Sequence, residues 1–218
     1  MKHTTHRIGR YLSIILMVVL TACTSVTPDI TETPTNILLS DDFSTPHPDW
    51  TLFDTDVGAA YIRNKELHLE DRGKGVAIYS PLLNHTYENV KISIETRYVQ
   101  GAMNNWMGVI CRQQDETNYY LLAISTDGYY LIQRVENGAS TPLSGPERSD
   151  AIATGRTQNL LEVTCNGTTL TLTANHRRLS TIQDATLGTA GQVALFTDAV
   201  EPGGTVVTAF DDFLLVRP

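Results

Sequence analysis

The chain has 218 residues, 41% hydrophobic and 18% charged, which is enough for one sizeable core and too little for two full domains beside a processed N-terminus. Its net charge of −8 is unevenly spread: residues 1–22 hold three of the 16 basic residues and none of the 24 acidic ones, leaving −11 on the rest. Such a surface repels phosphate backbones, so nucleic acid is excluded as a partner.

Lys2, Arg7 and Arg10 precede an apolar run from Tyr11 to Leu20. That run is well short of the ~20 apolar residues that span a bilayer, so it reads as the core of a cleavable signal covering residues 1–22. It leads into Leu20-Thr21-Ala22-Cys23, which resembles the bacterial lipobox. The resemblance implies diacylglycerol transfer to the Cys23 thiol, cleavage after Ala22 and acylation of the new amino group. Two or three acyl chains anchor a protein stably where one is marginal. The implied location is the cell envelope, lipid-anchored on the exported side of the membrane. The alternative is an ordinary secretory signal with a cysteine at the cleavage point. Thr24 follows, so the Asp that marks inner-membrane retention in some Gram-negative bacteria is absent. From Thr24 to Asn36 the chain is Thr- and Pro-rich (TSVTPDITETPTN) and cannot bury enough surface to offset its ordering entropy. Residues 23–36 therefore read as a short tether holding the domain off the lipid.

From Ile37 to Pro218 the pattern is strand after strand. Lys91-Ile-Ser-Ile-Glu-Thr-Arg97 alternates apolar and polar residues, as do Leu160–Cys165, Thr169–Thr173 and Gly191–Phe196. Asp71-Arg-Gly73, Asp127-Gly128, Asn137-Gly138, Asn166-Gly167 and Pro202-Gly-Gly204 punctuate them, and Asp-Gly or Asn-Gly between alternating runs signals a hairpin. No segment after Cys23 sustains a helical period over three turns. The expected fold is all-β, an antiparallel sandwich or barrel over residues 37–218.

The order of features is similar to that of concanavalin A-like (laminin-G-like) jelly rolls. Asp42-Phe43 precedes Trp50. Gly108-Val-Ile-Cys-Arg112, Asn118-Tyr-Tyr-Leu-Leu-Ala-Ile124 and Asp127-Gly-Tyr-Tyr130 follow, then Asn159–Gly167 and a closing Phe210-Asp-Asp-Phe213. These are fold signatures, shared by carbohydrate-binding, laminarinase-type and 3-keto-disaccharide hydrolase domains. One departure is Ala174-Asn-His176, where such domains often carry a Val-Asn-Gly hairpin. The resemblance implies paired central strands around Cys111 and Cys165. In an oxidising exported compartment these two cysteines would form a disulfide worth roughly 3–4 kcal/mol in the chain-entropy model. Two separate buried thiols are the alternative. Similar jelly rolls often hold a structural calcium between their first and last strands, where this chain has Asp41, Asp42, Asp211 and Asp212. Such hard oxygen donors suit that ion, and solvated turn acids are the competing reading.

Strand alternation suggests a ligand-binding face carrying Trp106, Ile110 and Arg112 on one strand and Tyr130, Ile132 and Arg134 on its neighbour, with Tyr119 on the same side. Flat rings beside charged donors grip sugars through stacking and hydroxyl recognition. Packing between sheets is the plainer expectation for any one of these rings. Retaining jelly-roll glycosidases need two carboxylates about 5 Å apart, commonly as Glu-x-Asp-x-x-Glu. Glu95 stands alone in its strand, and no serine-elbow, zinc, P-loop or dinucleotide motif occurs. The sequence thus points to a lipid-anchored module that binds a glycan or other surface ligand without catalysis and without a required cofactor. The alternatives are a glycoside-processing hydrolase of the keto-disaccharide type and a structural envelope protein that binds another protein.

Overall fold

The computed structural model describes Met1 and residues 36–218. The signal segment, Cys23 and the tether up to Thr35 lie outside the described residues. Among the described residues no helix is long and apolar enough to cross a membrane. Fifteen strands follow one another: β1 (Ile37–Asp41), β2 (Phe53–Asp54), β3 (Gly58–Arg63), β4 (Glu66–Asp71) and β5 (Ile78–Pro81). Next come β6 (Val90–Gly101), β7 (Asn105–Asp115), β8 (Asn118–Ile124), β9 (Tyr129–Glu136) and β10 (Ala139–Arg148). The last are β11 (Asn159–Asn166), β12 (Thr169–Ala174), β13 (Arg177–Gln183), β14 (Gln192–Ala199) and β15 (Val206–Val216).

They form two antiparallel sheets. The larger runs β13-β12-β11-β6-β15-β4-β3-β2, with β1 also on β15, and the smaller runs β10-β9-β8-β7-β14-β5. Strand β15 holds β6 along one edge and divides the other, pairing β4 up to Phe210 and β1 from Phe213. The changeover is a bulge at Asp211-Asp212, where Asp212 takes a φ of 49°, a conformation Asp tolerates better than most residues.

The core lies between the sheets. On β6 it takes Ile92 and Ile94, on β11 Leu161 and Val163, on β8 Tyr120, Leu122 and Ile124, and on β15 Phe210 and Phe213. Phe43, Trp50 and Phe213 close one region with ring centroids 5.0–5.7 Å apart. Cys111 on β7 and Cys165 on β11 form a disulfide joining the two sheets across the core, with Cα atoms 6.8 Å apart. The all-β jelly-roll sandwich expected from the sequence is therefore the fold observed. The Ala174-Asn-His stretch makes a tight turn despite lacking glycine, with Asn175 and His176 at φ values of 50° and 64°. Asn175 holds that geometry by accepting from the Leu160 amide and donating to the Ala151 carbonyl, each at 2.9 Å.

Candidate functional site

The smaller sheet is apolar on both faces, and the second apolar set defines the candidate site. Cross-strand register lays Leu131, Ala123, Gly108, Phe196 and Tyr79 in one row on its outer side. Gln133, Leu121, Ile110, Ala194 and Pro81 form the next row. Ile110, Leu121, Ala123, Ala194 and Phe196 make a buried cluster of their own, flanked by the partly buried rings of Trp106, Tyr119 and Tyr79. Gly108 is required at its centre, where a Cβ would come within 2.2 Å of the Leu122 carbonyl oxygen. These residues, none more than 4% exposed, form the floor of a trough roofed by the rings, whose open part is the recess beside Trp106.

Trp106 also lines a recess of about 380 Å³ at one end of this face, with Tyr129, Ser125, Asp127, Pro146 and Val200. Tyr129 is 38% exposed. The loop is braced where the Tyr129 amide donates to Ser125 Oγ at 2.9 Å and Ser125 Oγ donates to Asp127. Asp198 stands opposite Trp106 across the β7–β14 ladder. Burial, followed by the nearby Asp71 carboxylate, pushes its pKa up to about 6. Burial likewise raises Tyr79 and Tyr119, with further contributions from Glu116 at Tyr79 and from Tyr79 and Asp198 at Tyr119. Gln113, only 5% exposed and hydrogen-bonded to Tyr79, leaves its Oε1 without a partner.

Of the residues singled out from sequence, Trp106 and Tyr119 share this face and the other three do not. Arg112 is a correction. It sits at a β7 bulge with φ 52° and is 1% exposed. The bulge turns it off the outer face, and its guanidinium donates to the carbonyls of Glu88, Leu187 and Gly167. Tyr130 and Arg134 are corrected for a different reason: register pairs them with Ile124 and Tyr120, both core-facing. Tyr130 packs in the main core and donates to Glu147 at 2.7 Å. Arg134 donates to Asp184 and Thr186, each at 2.7 Å. Sequence reasoning missed Tyr79, Gln113 and Asp198. A Tyr at the second position of a short strand and a Gln just past a bulge give no periodic signal. The Asp at the end of the apolar run Val193–Phe196 was the one legible hint.

The four acids proposed for calcium do approach one another. Asp41, Asp42 and Asp212 line a recess of about 280 Å³ together with Glu95. Burial and mutual repulsion raise Glu95 and Asp211 above the usual carboxylate range. Asp41, however, accepts from the Phe43 amide at 2.8 Å and from Trp50 Nε1 at 2.9 Å, so both oxygens serve the core. Among the described residues no three acidic, histidine or cysteine side chains converge as cation ligands. The donor set does not fit a calcium ion.

The sequence matches no protein-family model and no curated protein. Solved structures do match. One is the carbohydrate-binding module CBM66 from Bacillus subtilis, with a TM-score of 0.63 and 14% identity over 78% of this chain and 96% of that one. Another is the catalytic domain of an endo-1,3-β-glucanase (laminarinase) from Thermotoga petrophila, with a TM-score of 0.59 and 8% identity over 83% and 97%. A third is the GH43 protein BlXynB from Bacillus licheniformis, with a TM-score of 0.60 and 16% identity over 82% of this chain but only 39% of that one. At these identities the likeness establishes the fold, a concanavalin A-like jelly roll.

Proposed function

We propose that this chain is an exported lipoprotein, anchored through Cys23, whose jelly roll binds a glycan on the outer face of the smaller sheet without cleaving it. The observation that carries the reading is the trough of small apolar residues flanked by Trp106, Tyr119 and Tyr79 and ending in the Trp106–Tyr129 recess. Sugar rings present C–H faces to aromatic planes, while Asp127 and Asp198 offer polar atoms for hydroxyls. The same fold in a carbohydrate-binding module supports the reading by analogy.

The hydrolase reading draws on one observation. Asp198, raised to about 6, lies in the range useful for a proton donor. Glycoside cleavage needs a second carboxylate across the bond. Asp71, whose charge acts on Asp198, is 2% exposed and accepts from the amides of Gly73 and Ala199 at 2.7 and 2.9 Å. That geometry fixes Asp71 as a loop brace, so binding is favoured over cleavage.

A glycan array probed with residues 36–218 and with Trp106→Ala tests the reading. Binding that falls at least about tenfold in Trp106→Ala, as expected when a stacking ring is lost, supports the trough. Silence across the array sinks it and makes an envelope protein the better partner. Release of reducing ends that stops in Asp198→Asn would replace binding by hydrolysis. For the anchor, Cys23→Ser is expected to move the chain from the detergent phase to the aqueous phase. Retention of Cys23→Ser in the detergent phase would overturn the lipid attachment.

A further inference from the structure

A second recess lies on the opposite side of the sandwich, on the outer face of the larger sheet. The β3–β4 hairpin turns through Asn64 and Lys65, both at positive φ (55° and 65°), the conformation that matches strand twist in a two-residue turn. Register then sets Tyr61, His68, Ala209 and Arg97 side by side across four strands. Ala209 and Val207 are 1% and 5% exposed and keep the floor low. Around it, Tyr61, Arg63, Asn64, His68, Arg97 and Gln100 enclose about 310 Å³.

Three features of this recess point to a ligand. Its lining carries two guanidinium groups and no carboxylate, in a chain whose non-signal part is strongly acidic. Arg97 is fixed by a two-pronged pair with Glu66, its Nε donating at 2.8 Å, whereas Arg63 has no ion-pair partner among the described residues. The Tyr61 and His68 rings stack with centroids 5.3 Å apart and planes 12° from parallel, giving a flat wall. His68 is 4% exposed, with Glu66 Oε2 3.4 Å from its Nε2, so the imidazole belongs to the wall of the recess. Burial lowers the His68 pKa, against the Glu66 carboxylate, which raises it.

We propose that this recess binds a sugar acid, with the carboxylate on Arg63 and Arg97, the ring against Tyr61 and its hydroxyls on the amides of Asn64 and Gln100. A planar carboxylate matches the guanidinium fork. A side-chain amide both donates and accepts, as a sugar hydroxyl does. The site is separate from the aromatic trough and does not depend on it.

Titration of the purified full-length chain with D-glucuronate, followed by two-dimensional amide NMR, tests the assignment, with D-glucose and acetate as controls. The expected result is saturable shifts confined to residues 61–68 and 97–100, with glucose and acetate each at least about tenfold weaker. Arg63→Gln and Tyr61→Ala, both at accessible positions, are each expected to weaken binding about tenfold while the rest of the spectrum is unchanged. Trp106→Ala is expected to bind glucuronate normally. Absence of saturable shifts, an equal response to acetate, or binding that depends on Trp106 and not on Arg63 would overturn the proposal. The last outcome would move the ligand to the trough, leaving the glycan reading intact.

Discussion

Along β11 and β12 the outward side chains are Leu160, Glu162, Thr164, Thr169, Thr171 and Thr173, all partly exposed and all but one polar. Along β7, β8 and β14 they are Ile110, Leu121, Ala123, Ala194 and Phe196, none more than 4% exposed. The first face pairs its own polar groups: Thr171 and Thr181 share a hydrogen bond at 3.0 Å and Lys91 reaches Glu162 at 3.3 Å. The second face is dry only because Trp106, Tyr119 and Tyr79 lean over it. A sheet with one solvated face is ordinary for an antiparallel sandwich. A sheet whose outer face is apolar and roofed by rings presents those rings, and the recess beside Trp106, at its surface. The difference favours the smaller sheet for the proposed glycan site, while the larger one carries the acidic recess beside Asp212 and the recess around His68.

The sandwich that supports both faces is tied by one covalent bond, and breaking it gives the largest expected effect. Cys111 and Cys165 are 54 residues apart in sequence, so removing the bridge frees a long loop in the unfolded chain. Cys111→Ala with Cys165→Ala is expected to lower stability by roughly 4 kcal/mol. Denaturant midpoints of the variant and of the native chain, with and without reductant, measure it. A loss below about 1 kcal/mol would show that unfolded-state structure, and not the bridge, limits the gain.

Next in size is a paired substitution on the two outward faces. Phe196→Ala removes a side chain 4% exposed, and is expected to cost about 3 kcal/mol despite lying outside the main core. Thr171→Ala on the larger sheet is expected to stay within about 0.5 kcal/mol. Urea unfolding of both variants checks the contrast. Similar losses would mean that the two faces are equally buried and that the trough is closed.

The same contrast explains what could be read from sequence. Where the outer face is polar, as in Lys91–Arg97 and Thr169–Thr173, alternation was plain and the strands were placed correctly. In Met107–Cys111, Asn118–Ile124 and Val193–Phe196 both faces are apolar, so the period vanishes and a side chain cannot be assigned to a face from spacing. Tyr130 and Arg134 were therefore set on the wrong side, although Tyr119 and Tyr120 were separated properly. Arg112 failed because a bulge adds a residue and resets the alternation, which no local pattern announces. Asp41 looked like a metal ligand because its bond to Trp50 Nε1 depends on a contact nine residues away. The recess around His68 was invisible for the same reason, being made from three separate segments of the chain.

A smaller effect should separate the trough from an inert apolar patch. Asp198 holds its proton more tightly in the folded domain than in the unfolded chain, because burial and Asp71 raise its pKa to about 6. Below about pH 3 both states are protonated and nothing is lost. As pH rises from about 3 to about 6 the unfolded chain ionises first and stability falls, and above that the folded domain carries the whole penalty. Asp198→Asn is therefore expected to leave stability unchanged at about pH 2.5 and raise it by about 1 kcal/mol at about pH 7.5, after discounting for partial exposure. Denaturant midpoints at the two pH values decide it. Equal midpoints at pH 7.5 would show a hydrated carboxylate and a more open trough than the packing implies.

The smallest expected effect tests whether the polar face is as self-sufficient as it looks. Lys91 and Glu162 lie 3.3 Å apart, with side-chain exposures of 48% and 24%. Attraction at such a site is largely cancelled by the entropy of holding two long side chains and by salt screening. Glu162 has a second neighbour in His176 Nδ1 at 3.8 Å, 80% exposed. Lys91→Ala is expected to change stability by less than about 0.5 kcal/mol at low salt and by nothing measurable in high salt. A larger loss that persists in salt, read from paired urea titrations, would mean that this side chain is shielded from solvent. The polar face would then be a covered surface, and the asymmetry between the two sides of the sandwich would no longer mark the trough as the site.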